Sequence, residues 1–184
     1  MTVRTPPCDA AHTARRLRAA QAGSPGRTLA CMRVHELMTT SPASCEPSTT
    51  LRVAAQLMSA NDCAAIPVTR DGELIGIITD RDIACRAVAN VTNASDLPVS
   101  QFMTAPVIAV SPDDTIERAA ELMTENQIHH LPVITAEGRL VGMVAQSDLG
   151  RRMTNREFGQ MARLTSIRNR PIYVHNESLT RRDH

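Results

Sequence analysis

Apolar residues fall at Leu51, Ala54, Ala55 and Met58, and again at Ile116, Ala119, Ala120 and Met123. Both sets follow the i, i+3, i+4, i+7 spacing that lines one face of an amphipathic helix. Glu117, Arg118, Glu121 and Glu125 take the other face of the second helix. Before that helix, residues 107–110 read as a short apolar strand, and Ser111-Pro112-Asp113-Asp114 as a helix start at which Asp114 or a neighbour caps free N–H groups. After the helices come strands over residues 65–69 and 130–135, interrupted by Pro67 and Pro132. Proline cannot donate to a ladder, which predicts an edge or bulge with nearby backbone groups left to a ligand. Turns at Asp71-Gly72 and Glu137-Gly138 lead into strands over 74–79 and 140–145, and each strand runs into a helix, near 80–89 and 146–153. The predicted order is strand, helix, strand, strand, helix, written twice.

The duplication is also visible residue by residue. Val34, Met38, Thr39, Pro47, Thr50, Ala54, Ala55, Leu57, Met58, Asn61, Pro67 and Val68 recur 65 positions later. After one inserted residue, Gly72, Leu74, Gly76 and Asp82 recur 66 positions later as Gly138, Leu140, Gly142 and Asp148. A single insertion between two strands is what a turn tolerates, which predicts that each copy is one folding unit. Two copies of this length predict a pseudo-symmetric pair, not a solenoid.

Composition narrows the function. Phe102, Phe158 and Tyr173 are the only aromatics, so the core is aliphatic and base stacking on aromatic platforms is not expected. The net charge of +1 hides an acidic centre: residues 32–148 hold seven Arg against 15 acidic residues, while 1–31 and 149–184 are basic. Those Arg-rich ends are read as solvated tails, and nucleic acid is not an expected partner. Residues 1–31 read as a disordered or non-native extension, and 154–184 as a basic tail that is helical near 157–164 and disordered beyond. Cys8, Cys31, Cys45, Cys63 and Cys85 lack close pairing, as reduced thiols of a cytoplasmic protein would. A zinc site joining Cys45, Cys63 or Cys85 to His129 or His130 is the alternative that spacing leaves open. No apolar run reaches the roughly 18 residues of a membrane span. Hydrolase, Walker and metal-hydrolase motifs are absent from the sequence, so neither an enzyme nor a catalytic cofactor is expected.

One stretch carries candidate chemistry. Gly76-Ile77-Ile78-Thr79-Asp80-Arg81-Asp82 lies where a strand meets a helix. Helix-start amides favour anions, Thr79 offers a hydroxyl, Arg81 a fork for phosphate, and Asp82 a carboxylate for two sugar hydroxyls. The alternative is plain helix capping by Thr79, Asp80 and Asp82. Adjacent His129 and His130 sit on opposite faces if extended, so they are not expected to share a metal.

Val34-His35-Glu36-Leu37-Met38-Thr39, Ile66-Pro67-Val68, the Gly72 turn and Gly76 through Thr79 to Asp82, each with its second-copy counterpart, resemble a tandem of CBS (cystathionine β-synthase type) domains over about residues 32–153. The resemblance implies an α+β fold of two pseudo-symmetric β-α-β-β-α repeats, 32–92 and 93–153, packed through small three-stranded sheets. It also implies clefts for an adenosine-containing ligand, with ribose and phosphate contacts at Thr79 and Asp82 and an adenine edge on the backbone of Ala65, Ile66 and Pro67. Arg81 joins them by its charge and place. The second cleft, at His130, Leu131, Pro132 and Asp148, is expected to be degraded, because Ala145 replaces Thr79 and Ser147 replaces Arg81. The expected function is a regulatory adenine-nucleotide sensor, a homodimer by resemblance, signalling to a protein partner. A structural dimerisation or protein-interaction module without physiological nucleotide binding is the alternative.

Overall fold

The computed structural model describes residues 32–152 and 155–166; the expected extension 1–31 and the end of the tail, 167–184, lie outside them. Both long helices form where the apolar spacing puts them. Helix α1 spans Leu51–Asn61 and helix α2 spans Ile116–Asn126. Each is capped by the threonine before it: Thr50 accepts from the Val53 amide and Thr115 from the Arg118 amide. Asp114 instead accepts from the Ser111 amide at 2.7 Å, folding the turn that delivers Thr115. Left-handed Asp62 and Gln127 end the helices.

Strand β1 (Thr39–Thr40) is short; β2 (Ala65–Arg70) and β3 (Glu73–Thr79) form one antiparallel hairpin, and β4 (His130–Ile134) and β5 (Leu140–Ala145) the other. Gly72 (φ 84°) and Gly138 (φ 80°) turn them, in left-handed conformations that favour glycine. The fold is α+β with small sheets, and the sheets differ from the expected matched pair of three strands. β1 adds to β5, giving the order β1-β5-β4, whereas the corresponding contact on β3 is a single bridge between Ile77 and Thr104. The strand expected at 107–110 shrinks to one parallel bridge, Val110 to Val133, mirrored by Cys45 to Val68. Pro106 and Pro112 flank that run and withhold two amides from any longer ladder.

The lead segment of each repeat crosses to the other. Val34 and His35 donate to the carbonyls of Asp114 and Pro112, and Ile116 donates to Met32. The mirror set is Val99 to Thr49, Ser100 to Pro47 and Leu51 to Leu97. One apolar core therefore joins Met32 and Val34 to Ile116, Met123, Leu131, Val144 and Leu149, and the other joins Val99 and Phe102 to Leu51, Met58, Ile66 and Ile78. The sequence repeat and the packing unit thus do not coincide, contrary to the expectation that each copy folds as one unit. Gly76 and Gly142 seat the crossing: a Cβ built on Gly76 would lie 2.4 Å from the Met103 sulfur, and one on Gly142 would lie 2.5 Å from the Met38 sulfur.

The helices that follow the hairpins are not equivalent. Expected over 80–89, the first is helical from Asp80 and π-wound over Asp82–Val88; the second is α3 (Gln146–Gly150), shorter than the expected 146–153. Helix α4 (Asn155–Ser166) then packs on α2 and α3. Phe158 lies over Gly150, so closely that a Cβ there would meet its ring at 2.5 Å, and Met161 enters the second core. This stretch was expected to be a tail, yet it is part of the second repeat's packing.

Gly142→Ala should destabilise the chain by about 1–3 kcal/mol through overpacking. Met38→Ala should relieve part of that cost, so urea unfolding of the single and double variants will show non-additivity; strict additivity would remove the glycine seat from the account. Burial also pushes the Cys45 thiol up to about 11, whereas Cys85 is exposed. Alkylation at pH 8 followed by peptide mapping should therefore modify Cys85 in the native chain and Cys45 only on unfolding.

Candidate functional site

Strand β3 ends at Thr79, and the chain turns at once into the Asp82–Val88 segment. Asp82 Oδ2 accepts from the Thr79 amide at 3.0 Å and from Thr79 Oγ1 at 2.7 Å, while the Asp82 amide donates back to Thr79 Oγ1 at 3.1 Å. This is reciprocal capping. The Arg81 amide is likewise taken, by Asp80 Oδ1 at 2.6 Å. The helix start was expected to offer its amides to an anion. Two of them are instead satisfied by side chains of the same turn, and the π-wound part of the helix has only seven residues.

The hairpin register places the other predicted residues alongside. Ala65 pairs with Thr79, Ile66 with Ile78 and Pro67 with Ile77. All three of Ala65, Ile66 and Pro67 are buried, whereas Arg81 is exposed. The Pro67 carbonyl, expected to be open to a ligand, accepts from the Cys45 amide at 3.1 Å, and Pro132 O likewise accepts from Val110. The parallel bridges consume those groups.

Arg86 is a member of this cluster that the sequence reading passes over. Its Nη1 donates to Asp82 Oδ1 at 3.1 Å. An opposite charge four residues after Asp82 was the available signal.

The second repeat reproduces half of this arrangement. The Ala145 amide donates to Asp148 Oδ2 at 3.0 Å, but Ala145 brings no hydroxyl, and Asp148 forms its ion pair with Arg151, at 3.9 Å. His130 pairs with Ala145 on the hairpin, beside buried Leu131 and Pro132. Burial pushes the His130 imidazole below its ordinary range, with His129 adding to the effect and Asp80 and Asp148 opposing it. Those two carboxylates belong to different repeats. His129 turns elsewhere: its Nδ1 is hydrogen bonded to Gln146 Oε1, and Gln146 Nε2 donates to Thr165 Oγ1 of α4 at 2.9 Å. The zinc alternative is not assembled, since no three His, Cys, Asp or Glu side chains converge among the described residues. No described helix is long and apolar enough to cross a membrane.

A separate groove of about 420 Å³ opens on the outer helical face of the first repeat, between α1 and the π-wound segment. Leu51, Ala55, Ile83, Val88 and Val91 line it. Val88 is 67% exposed and Val53, also on α1, 43%. On the second repeat α4 packs on the corresponding helices.

The CBS domain model matches residues 34–87 and 99–155, the two repeats just described. The chain belongs to the CBS domain family. It is 38% identical over 141 residues to a CBS domain-containing protein, YhcV, of Bacillus subtilis, covering 76% of this chain and 98% of that one. Among solved structures, the CBS protein TA0289 of Thermoplasma acidophilum superposes with a TM-score of 0.66 at 25% identity, over 72% of this chain and 75% of that one. The CBS pair of protein MJ0100, solved with 5′-methylthioadenosine and S-adenosyl-L-methionine, superposes at 0.60 and 26% identity, over 65% of this chain and 94% of that one. CBS pairs are regulatory ligand-binding modules, and the tandem repeats place this chain among them.

Because burial lowers the folded-state pKa of His130, the unfolded chain binds the proton first as the solution is acidified. The His130 contribution should therefore be constant above about pH 6.5 and destabilising below it. Urea midpoints of the native chain and His130→Gln, followed from pH 8 to 5.5, should diverge on the acid side; parallel profiles would refute the buried neutral imidazole.

Proposed function

We propose that this CBS pair senses an adenosine-containing nucleotide of the AMP, ADP or ATP class in the cleft of its first repeat. Ala65, Ile66 and Pro67 would line the adenine, Thr79 and Asp82 would meet the ribose, and Arg81 the phosphate. The observation that carries this reading is the Thr79–Asp82 pair. The threonine hydroxyl fixes the carboxylate, so its second oxygen, Oδ1, which accepts one bond from Arg86, keeps a lone pair for a ribose hydroxyl at the strand end without needing to be ordered on binding. The adenosine compounds in the MJ0100 pair support the ligand class.

Transmission follows from the crossing. β3, which leads to Thr79, also carries the Ile77–Thr104 bridge to the second repeat's lead segment. A ligand that prefers one setting of that strand shifts the arrangement of both repeats, and so the surface offered to a partner. Binding should be confined to the first repeat, because Ala145 and Ser147 leave the second without the hydroxyl and the cation.

The open groove favours a second reading, a dimerisation module in which exposed Val88 at the groove meets a second copy. The two readings separate experimentally. Thermal unfolding with AMP, ADP, ATP and S-adenosylmethionine should show an upward shift of several degrees for a nucleotide near 100 times its Kd, where binding adds about 2.7 kcal/mol. Asp82→Asn, which keeps an acceptor for the cap, should abolish that shift, and titration calorimetry should give one site per chain. No shift with any of the four compounds would leave the dimerisation reading. Light scattering on Val88→Asp tests that one: an unchanged mass would count against the groove as an interface.

A further inference from the structure

We propose that Arg86 makes the first-repeat cleft select a phosphorylated adenosine over adenosine itself or a sulfonium-bearing analogue; the inference rests on the ribose role given above to Asp82. A carboxylate oxygen has two lone pairs. Both lone pairs of Asp82 Oδ2 are committed, to the Thr79 amide and hydroxyl. Ribose hydroxyls are therefore left with Oδ1, the oxygen that also accepts from Arg86 Nη1 at 3.1 Å. On this reading the guanidinium on that oxygen sits beside the sugar, and its long side chain can turn towards a phosphate that the sugar carries.

Charge decides what that position prefers. Asp80 and Asp82 place two carboxylates beside the cleft, and an incoming phosphate would meet their repulsion. Arg86 offsets Asp82, and its planar fork has five N–H donors, of which the Asp82 bond uses one. The same cation disfavours a sulfonium. Its side chain is 38% exposed against 15% for Asp82, so the carboxylate is the fixed partner and the guanidinium can lean towards a ligand. The π-wound turn sets this arrangement, a distortion found often at functional sites. In the α-helical counterpart the partner of Asp148 is Arg151, 62% exposed and 3.9 Å away, one residue before the position equivalent to Arg86, so selection belongs to the first repeat.

Titration calorimetry of the full chain with AMP and with adenosine, on the native protein, Arg86→Gln and Arg86→Lys, tests this. Arg86→Gln should weaken AMP by on the order of tenfold or more while adenosine changes less than about threefold. Arg86→Lys should recover part of the AMP preference, as a point charge without the fork. Equal loss for both ligands would make Arg86 a mere support for Asp82 and overturn the inference. So would an unchanged preference in Arg86→Gln. If the native chain binds neither compound, the ribose reading of Asp82 falls first and this inference with it. The unfolding midpoint of each variant separates lost folding from lost recognition.

Discussion

Everything in this fold depends on the exchange of lead segments between the repeats. Each core is closed by residues that the chain supplies from the other repeat, and each closure needs a glycine on the receiving strand to admit a methionine. Met38 on Gly142 and Met103 on Gly76 are two halves of one constraint. Burial of the aliphatic core supplies the driving force, about 25 cal/mol per Å² of apolar surface, but the crossing decides which surfaces meet. It makes the two repeats mutually dependent, and it ties the strand that ends at Thr79 to the opposite half.

The same groups that start the helix after β3 are those we propose for the ligand. Thr79 and Asp82 satisfy each other, and Arg86 takes one bond on the second carboxylate oxygen. On that proposal stability and recognition draw on one set of hydrogen bonds. In the second repeat the structural half of that set survives in the Ala145 amide and Asp148, while the hydroxyl is gone. An aspartate retained at both positions is explained by capping alone; the clefts are told apart by the residues around it, Thr79 against Ala145, Arg81 against Ser147 and Ala65 against His130.

Much of this was legible in the chain. The spacing of Leu51, Ala54 and Met58, and of Ile116, Ala119 and Met123, gave both helices, since the periodicity is a local signal. The hairpins followed from Gly72 and Gly138. What stayed hidden was non-local or geometric. The repeat pattern says that residues 34–40 and 99–104 are equivalent but not which core they enter, because a lead strand presents the same alternation to either partner. Arg86 carries no motif of its own, and its single sequence signal is its place one turn after Asp82. The carbonyl of Pro67 was read as open because proline's missing N–H was visible in the sequence and its partner, Cys45, lies over twenty residues away. Phe158 and Met161 were taken for tail because their apolar spacing is short and surrounded by arginine.

The C-terminal helix has a consequence for assembly. A duplicated, pseudo-symmetric unit with equivalent apolar flanks would carry two adhesive ends, and head-to-tail joining of such ends propagates into open filaments. Here Phe158 and Met161 stopper one flank from within the same chain, while among the described residues Val88 on the other flank stays exposed. On the dimerisation reading, an isologous contact through the Val88 side would use up that flank in both copies, and assembly by that surface would end at two.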